Sequence, residues 1–251
     1  MIKTTDPNSI SYSGYCNDCK TIHALPSEKA ILHCKDLIAQ LKKHKRLDFD
    51  LPIENSDARL STEHLYSVIG GEMLGILICE DATGKEIILR AFSSTHNGVW
   101  NIDGWVPHIA NEKDFMTTVE IGNTKIHPLT NLINTLAKDT NEWKTKTLER
   151  KIISQEVLAK LNALYKITNF KNETRNLSQA FNLKKGIPNG TGDCCAPKLL
   201  NFAAKNKLKP ISIAEFYWGK ESPNGLRKEG EFYSSCENKC KPLLGFMMCG
   251  I

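Results

Sequence analysis

Met73-Leu74-Gly75-Ile76-Leu77-Ile78-Cys79, followed by Asp81-Ala82-Thr83-Gly84-Lys85 and then Glu86-Ile87-Ile88-Leu89-Arg90-Ala91-Phe92, decides the fold. The first run is continuously apolar and of strand length, which reads as a strand buried on both faces; the middle is turn chemistry, and the last run returns beside the first. A β-hairpin at 73–92 therefore belongs at the centre of a sheet. Further on, Pro210-Ile211-Ser212-Ile213-Ala214-Glu215-Phe216-Tyr217-Trp218-Gly219 supplies another strand, at 211–217. Between these, Leu129, Ile133 and Leu136 mark one helical stripe, and Leu148, Ile152, Leu158, Leu161 and Leu164 another. That spacing predicts a helical hairpin over 128–170, broken near Asp139-Thr140-Asn141. The expected class is α/β: a mixed sheet flanked by helices, a helical hairpin insertion, and an N-terminal Cys-rich module. The module covers 1–46 and a single α/β domain covers 47–251.

With 251 residues, 41% apolar and 24% charged, the chain can bury a proper core. A net charge of +5 allows an anionic partner such as RNA without demanding one. Met1-Ile2-Lys3-Thr4-Thr5-Asp6-Pro7 has no apolar core of a signal peptide, and no run of about 18 apolar residues occurs, so no membrane association and a cytoplasmic location are expected. Nine cysteines in a reducing compartment are thiols, metal ligands or nucleophiles rather than a disulfide frame, and an odd number cannot all pair within the chain.

Those cysteines fall into two sets. Tyr15-Cys16-Asn17-Asp18-Cys19 through His23 precedes an amphipathic run in which Ile31, Cys34, Ile38 and Leu41 share a face, with Ser27 placed to cap it. Cys16, Cys19, His23 and Cys34 are the kind of set a tetrahedral zinc requires, although Cys34 also fits a small core residue. The second set begins at Gly190-Thr191-Gly192-Asp193-Cys194-Cys195-Ala196-Pro197-Lys198-Leu199-Leu200, where Asp193 reads as a helix cap and the thiols fall in the first turn. Cys236 and Cys240 follow, four apart. With Cys194 they make three sulfur ligands, leaving a fourth position for water, Cys195 or Asp193. The expected cofactor is zinc.

Two resemblances extend this reading. The order of hairpin, ligand at a helix start, strand and cysteine pair resembles the zinc-dependent nucleobase deaminases. That family has a glutamate two residues after its first ligand and two residues between its cysteines. Here Ala196 stands at the glutamate's position and the gap is three. The resemblance implies a hydrolytic zinc centre in which Glu215 or Asp193 takes the glutamate's catalytic role. More specifically, 190–200, Lys209–Gly219 and Gly230–Cys236 through Leu244 resemble the N-terminal extension of long-form RluA-type pseudouridine synthases, as does the hairpin ending Arg90-Ala91-Phe92-Ser93. Residues 70–248 are covered, and the Cys16/Cys19 opening is not. The synthase domain, which carries an Arg-Leu-Asp motif, is not matched, and Lys45-Arg46-Leu47-Asp48 lacks the Thr-Ser-Gly that should follow. The expectation drawn is a metal-binding, non-catalytic accessory protein associated with RNA modification; the alternative is a zinc hydrolase of deaminase type.

Overall fold

The computed structural model describes residues 11–68, 70–182 and 186–251, so the N-terminal heptapeptide read above lies outside the described residues. The chain divides into two compact units. One comprises Met1–Ile109, Ile167–Arg175 and Gln179–Ile251; the other comprises Ala110–Lys166 and Asn176–Ser178.

The first unit opens with an antiparallel hairpin of β1 (Tyr12–Cys16) and β2 (Thr21–Leu25), followed by helix α1 (Glu28–His44). Ser27 precedes α1 as expected, without a side-chain capping bond, and Lys42, Lys43 and His44 crowd its last turn, where cations suit the helix dipole. After three short 3₁₀ turns come β3 (Glu72–Glu80) and β4 (Glu86–Phe92), the hairpin read from the sequence. Arg46 and Asp48, the echo of the synthase motif, form a buried ion pair at 2.7 Å in the connection.

The second unit is the helical hairpin, α2 (Glu112–Thr135) and α3 (Asn141–Leu164). It begins sixteen residues before the expected 128, because Asn111 caps α2 by accepting from the Asp114 N–H at 3.1 Å and Pro128 lies inside the helix rather than at its start. Gly122 faces Val157, whose methyls would sit 2.9 Å from any added Cβ, so the two helices approach closely there.

A short ribbon of β5 (Lys166–Thr168) and β6 (Thr174–Asn176) and the turn α4 (Leu177–Ala180) lead to α5 (Cys195–Lys205), β7 (Lys209–Trp218) and α6 (Lys241–Met247). The central sheet has the order β4-β3-β7 and is antiparallel throughout, with β3 in the middle and buried along its whole interior. On β7 the Ser212 hydroxyl accepts from Ala30 N–H at the start of α1, whereas the Glu215 carboxylate accepts from Ala196 N–H at the start of α5. Residues three apart on a strand point to opposite faces, so β7 carries α1 on one side and α5 on the other. The architecture is α/β, with sheets, flanking helices, helical hairpin and N-terminal cysteine cluster.

Three contacts draw distant segments together. The outer edge of β7 is covered where the chain doubles back: Tyr217 N–H donates to Glu231 O and Tyr233 N–H to Glu215 O, which also protects an otherwise bare strand edge. The fully buried Tyr12 hydroxyl donates to Tyr233 O and accepts from Glu215 N–H, both at 2.7 Å. Finally, β1 crosses α6 at Gly14 and Gly245, where any Cβ would collide with the opposing backbone. The N-terminal module is thus woven into the first unit.

Candidate metal centres

The first centre is built at the tip of the β1–β2 hairpin. Its turn, Asn17–Lys20, closes with Lys20 in the left-handed region at φ 58°, so Cys16 and Cys19 come back toward one another. His23 lies on β2, and the fourth donor is Cys249, delivered just past the end of α6. Ligand atoms of Cys16, Cys19, His23 and Cys249 all lie within 4.8 Å of one another. The Cys19 and Cys249 sulfurs are 3.7 Å apart, close to the edge of a tetrahedron whose corners lie about 2.3 Å from its centre. Three sulfurs and an imidazole nitrogen fit a closed structural zinc site.

Cys34, expected in this set, is not part of it. It is fully buried on α1, its thiol donates to Ala214 O at 3.6 Å, and burial pushes it far up from the ordinary thiol range. The apolar face of α1 packs into the core and carries Cys34 with it. Partial burial alone raises Cys19, but bonds from His23, at 3.0 Å, and from Cys16 and Cys249 outweigh that and bring it down to about 6. Arg175 braces the turn, pairing with Asp18 at 2.9 Å while lying 4.5 Å from the centre of the Phe246 ring.

The second centre gathers Cys194, Cys236 and Cys240, again within 4.8 Å. Cys194 itself, not Asp193, occupies the cap position of α5, with extended backbone and no side-chain capping bond; Cys240 occupies the same position on α6, where Pro242 fits the first turn. Cys236 arrives because the segment before it runs along β7, and its sulfur sits 3.4 Å from that of Cys240 and accepts from Cys240 N–H at 3.3 Å. Hydrogen bonds from the Cys194 and Cys240 sulfurs pull Cys236 down to about 2, while the same sharing pushes Cys194 and Cys240 up. Cys195 is turned away, donating to Met73 O at 3.2 Å in the core.

Of the two carboxylates expected here, Glu215 is only 5% exposed and its Oε1 lies 2.5 Å from Ala196 N, two residues past Cys194. Burial pushes it up to about 7. Asp193 is partly exposed and lies 4.0 Å from the His108 ring. Beside it, Lys198 is 1% exposed, donates to Ser94 O at 3.2 Å, meets His108 Nε2 at 3.4 Å and lies 4.2 Å from the centre of the Phe92 ring. Burial lowers Lys198 to about 8; burial and that ammonium lower His108 to about 3, offset only in part by a hydrogen bond with the Ser94 backbone.

Cys249 and Lys198 were not singled out from the sequence. Cys249 follows an apolar run with no partner at ligand spacing. A signal for Lys198 did exist: it lies four residues after Cys194 on the same helix face, inside the apolar run Pro197–Leu200. Comparison of the chain with protein-family models, curated proteins and solved structures finds no match.

Proposed function

We propose that the protein is a zinc-dependent hydrolase of the nucleobase-deaminase type, with its working centre at Cys194, Cys236 and Cys240 and a structural zinc at Cys16, Cys19, His23 and Cys249. The observation that carries this reading is the Glu215 carboxylate lying against the N–H of Ala196. Position 196 is where the deaminase pattern has its glutamate, and a carboxylate from β7 occupies the neighbourhood that the local sequence leaves empty. The antiparallel order β4-β3-β7, with ligands at the starts of α5 and α6, supports the same reading.

Cys194, Cys236 and Cys240 would hold the zinc, which would supply a water activated near neutral pH. Glu215 is the proton carrier: held by Ala196 N–H and sheltered from solvent, it takes up and returns one proton at its carboxyl group. Asp193, at the rim and near His108, orients the base being hydrolysed. The reaction exchanges an exocyclic amine for a carbonyl, consuming one water and releasing ammonia.

The depth of Cys240 and Glu215, 2% and 5% exposed, favours a second reading, a non-catalytic zinc protein accompanying RNA modification. Ammonia release from cytosine- and adenine-containing nucleosides and single-stranded RNA separates the two. The hydrolase reading expects turnover that falls by about 10²–10⁴ in Glu215→Gln with zinc content unchanged. No release from any of these substrates by protein carrying two zincs would favour the accessory role.

A further inference from the structure

Beyond the far end of α5 the chain forms a cleft of about 410 Å³, bounded by the β5–β6 turn at 170–172, the connection 207–210 into β7, and Gly250–Ile251. Phe170, Leu208 and Pro210 give it apolar walls, and Lys171, Lys207 and Lys209 stand exposed around it. Among the described residues no Asp or Glu side chain lines it. Backbone sets its shape. Lys207 turns the chain out of α5 in the left-handed region, at φ 56°, and Gly250 lies so close to Phe170 and Lys171 that an added Cβ would stand 2.8 Å from their backbone.

The three ammonium groups are only partly committed. Lys207 makes no ion pair among the described residues. Lys209 meets Glu80 at 3.3 Å, but through side chains 73% and 41% exposed, where solvent leaves such a pair weak. Lys171 turns toward the Cys249 sulfur, and Glu173, held by Asn169 at 3.1 Å, acts on it from outside the lining. Three positive point charges around a half-buried phenyl ring, with no fork of donors for one compact anion, suit charges strung along a chain whose flat groups can stack.

We infer that this cleft binds single-stranded nucleic acid, its phosphates against Lys171, Lys207 and Lys209 and a base against the Phe170 ring. Lysine neutralises phosphate as a point charge and an aromatic face accepts any base, so the contact is tolerant of sequence. The inference rests on the hydrolase reading for making the strand a substrate, whereas binding itself needs no zinc chemistry. Along α5, Cys194 at the cap and Lys205 in the last turn are about 16 Å apart. A free nucleoside at Cys194 therefore does not reach the cleft.

The probe is a fluorescein-labelled oligouridylate of about ten nucleotides, followed by fluorescence anisotropy on the full-length, zinc-loaded protein from about 50 to 200 mM salt. Three phosphate contacts give a slope of log affinity on log salt of about −2, and Lys207→Asn, which suits the left-handed backbone and removes one charge, should bring it about 0.7 nearer zero. Lys209→Gln is expected to do the same, Phe170→Leu to weaken binding about five-fold or more without moving the slope, and Lys42→Gln on α1 to change neither. Ammonia release from free cytidine should be equal in Lys207→Asn and wild type. Because the anisotropy needs no turnover, an inactive wild type counts against the hydrolase reading alone. No binding at the lowest salt, an unchanged slope in Lys207→Asn, an equal fall in Lys42→Gln, or equal competition by polyglutamate of the same charge would overturn the assignment.

Discussion

Cys16, Cys19, His23 and Cys249 offer four donors, on a two-stranded hairpin and on the chain just past a helix; Cys194, Cys236 and Cys240 offer three, at the starts of two helices over the central sheet. The first set is complete by itself and closes a hairpin turn whose other ties are polar, the Arg175–Asp18 pair and a bond from Asn17 to Asn182. The second rests on elements that the core already holds: β3, β7, α5 and α6 are buried along most of their length. On the proposed reading, two cysteine-rich sets therefore have different dependants: at the first the local fold would depend on the metal, and at the second the metal would be a guest of the fold.

The largest effect that sharpens this contrast is Cys249→Ser. It should release one zinc of two and cost about 5 kcal/mol, a fall of roughly 10–20 °C in melting temperature, because structural zinc binding is itself folding free energy. Cys240→Ser should also release one zinc, but with a melting temperature lowered by less than half as much. Equal losses, read by elemental analysis beside calorimetry, would erase the distinction and make both sites structural.

Tyr12→Phe tests the link between the two regions. Removing that hydroxyl strands Tyr233 O and Glu215 N–H in the core, a cost of about 1–3 kcal/mol measurable by denaturant unfolding, with both zincs retained. The smallest effect belongs to His108. Its folded pKa, about 3, lies below the ordinary 6.5, so the unfolded chain binds the extra proton and stability falls as pH drops through 6.5. Between pH 6.5 and 5.5 this amounts to about 1 kcal/mol, and His108→Gln should flatten that part of the profile.

Much of the scaffold was legible because its signals are local. The apolar run at 73–79 and its turn fix β3 and β4, and the alternating stripes mark α3. Pro128 misled the reading of α2, since a proline normally ends a helix and here lies within one. The Cys194, Cys236 and Cys240 set was readable from residue type and helix-start chemistry. Cys249 was not, because no local spacing connects it to Cys16, and only the crossing of β1 and α6 at Gly14 and Gly245 brings it near. Cys34 shows the converse: its spacing suits a ligand, but a thiol on the apolar face of α1 goes where that face is buried. Nor does sequence register reveal that Glu215 would face the start of α5.

The separation of Cys249 from its partners has a consequence in time. During synthesis the ribosome releases Cys16, Cys19 and His23 more than 220 residues before it reaches Cys249. At about 5–20 residues per second, that interval is roughly 11–45 s. Throughout it the nascent hairpin presents two thiols and an imidazole with no fourth donor, open to any metal or oxidant it meets, and the site closes only once Cys249 has been made and has folded back against it.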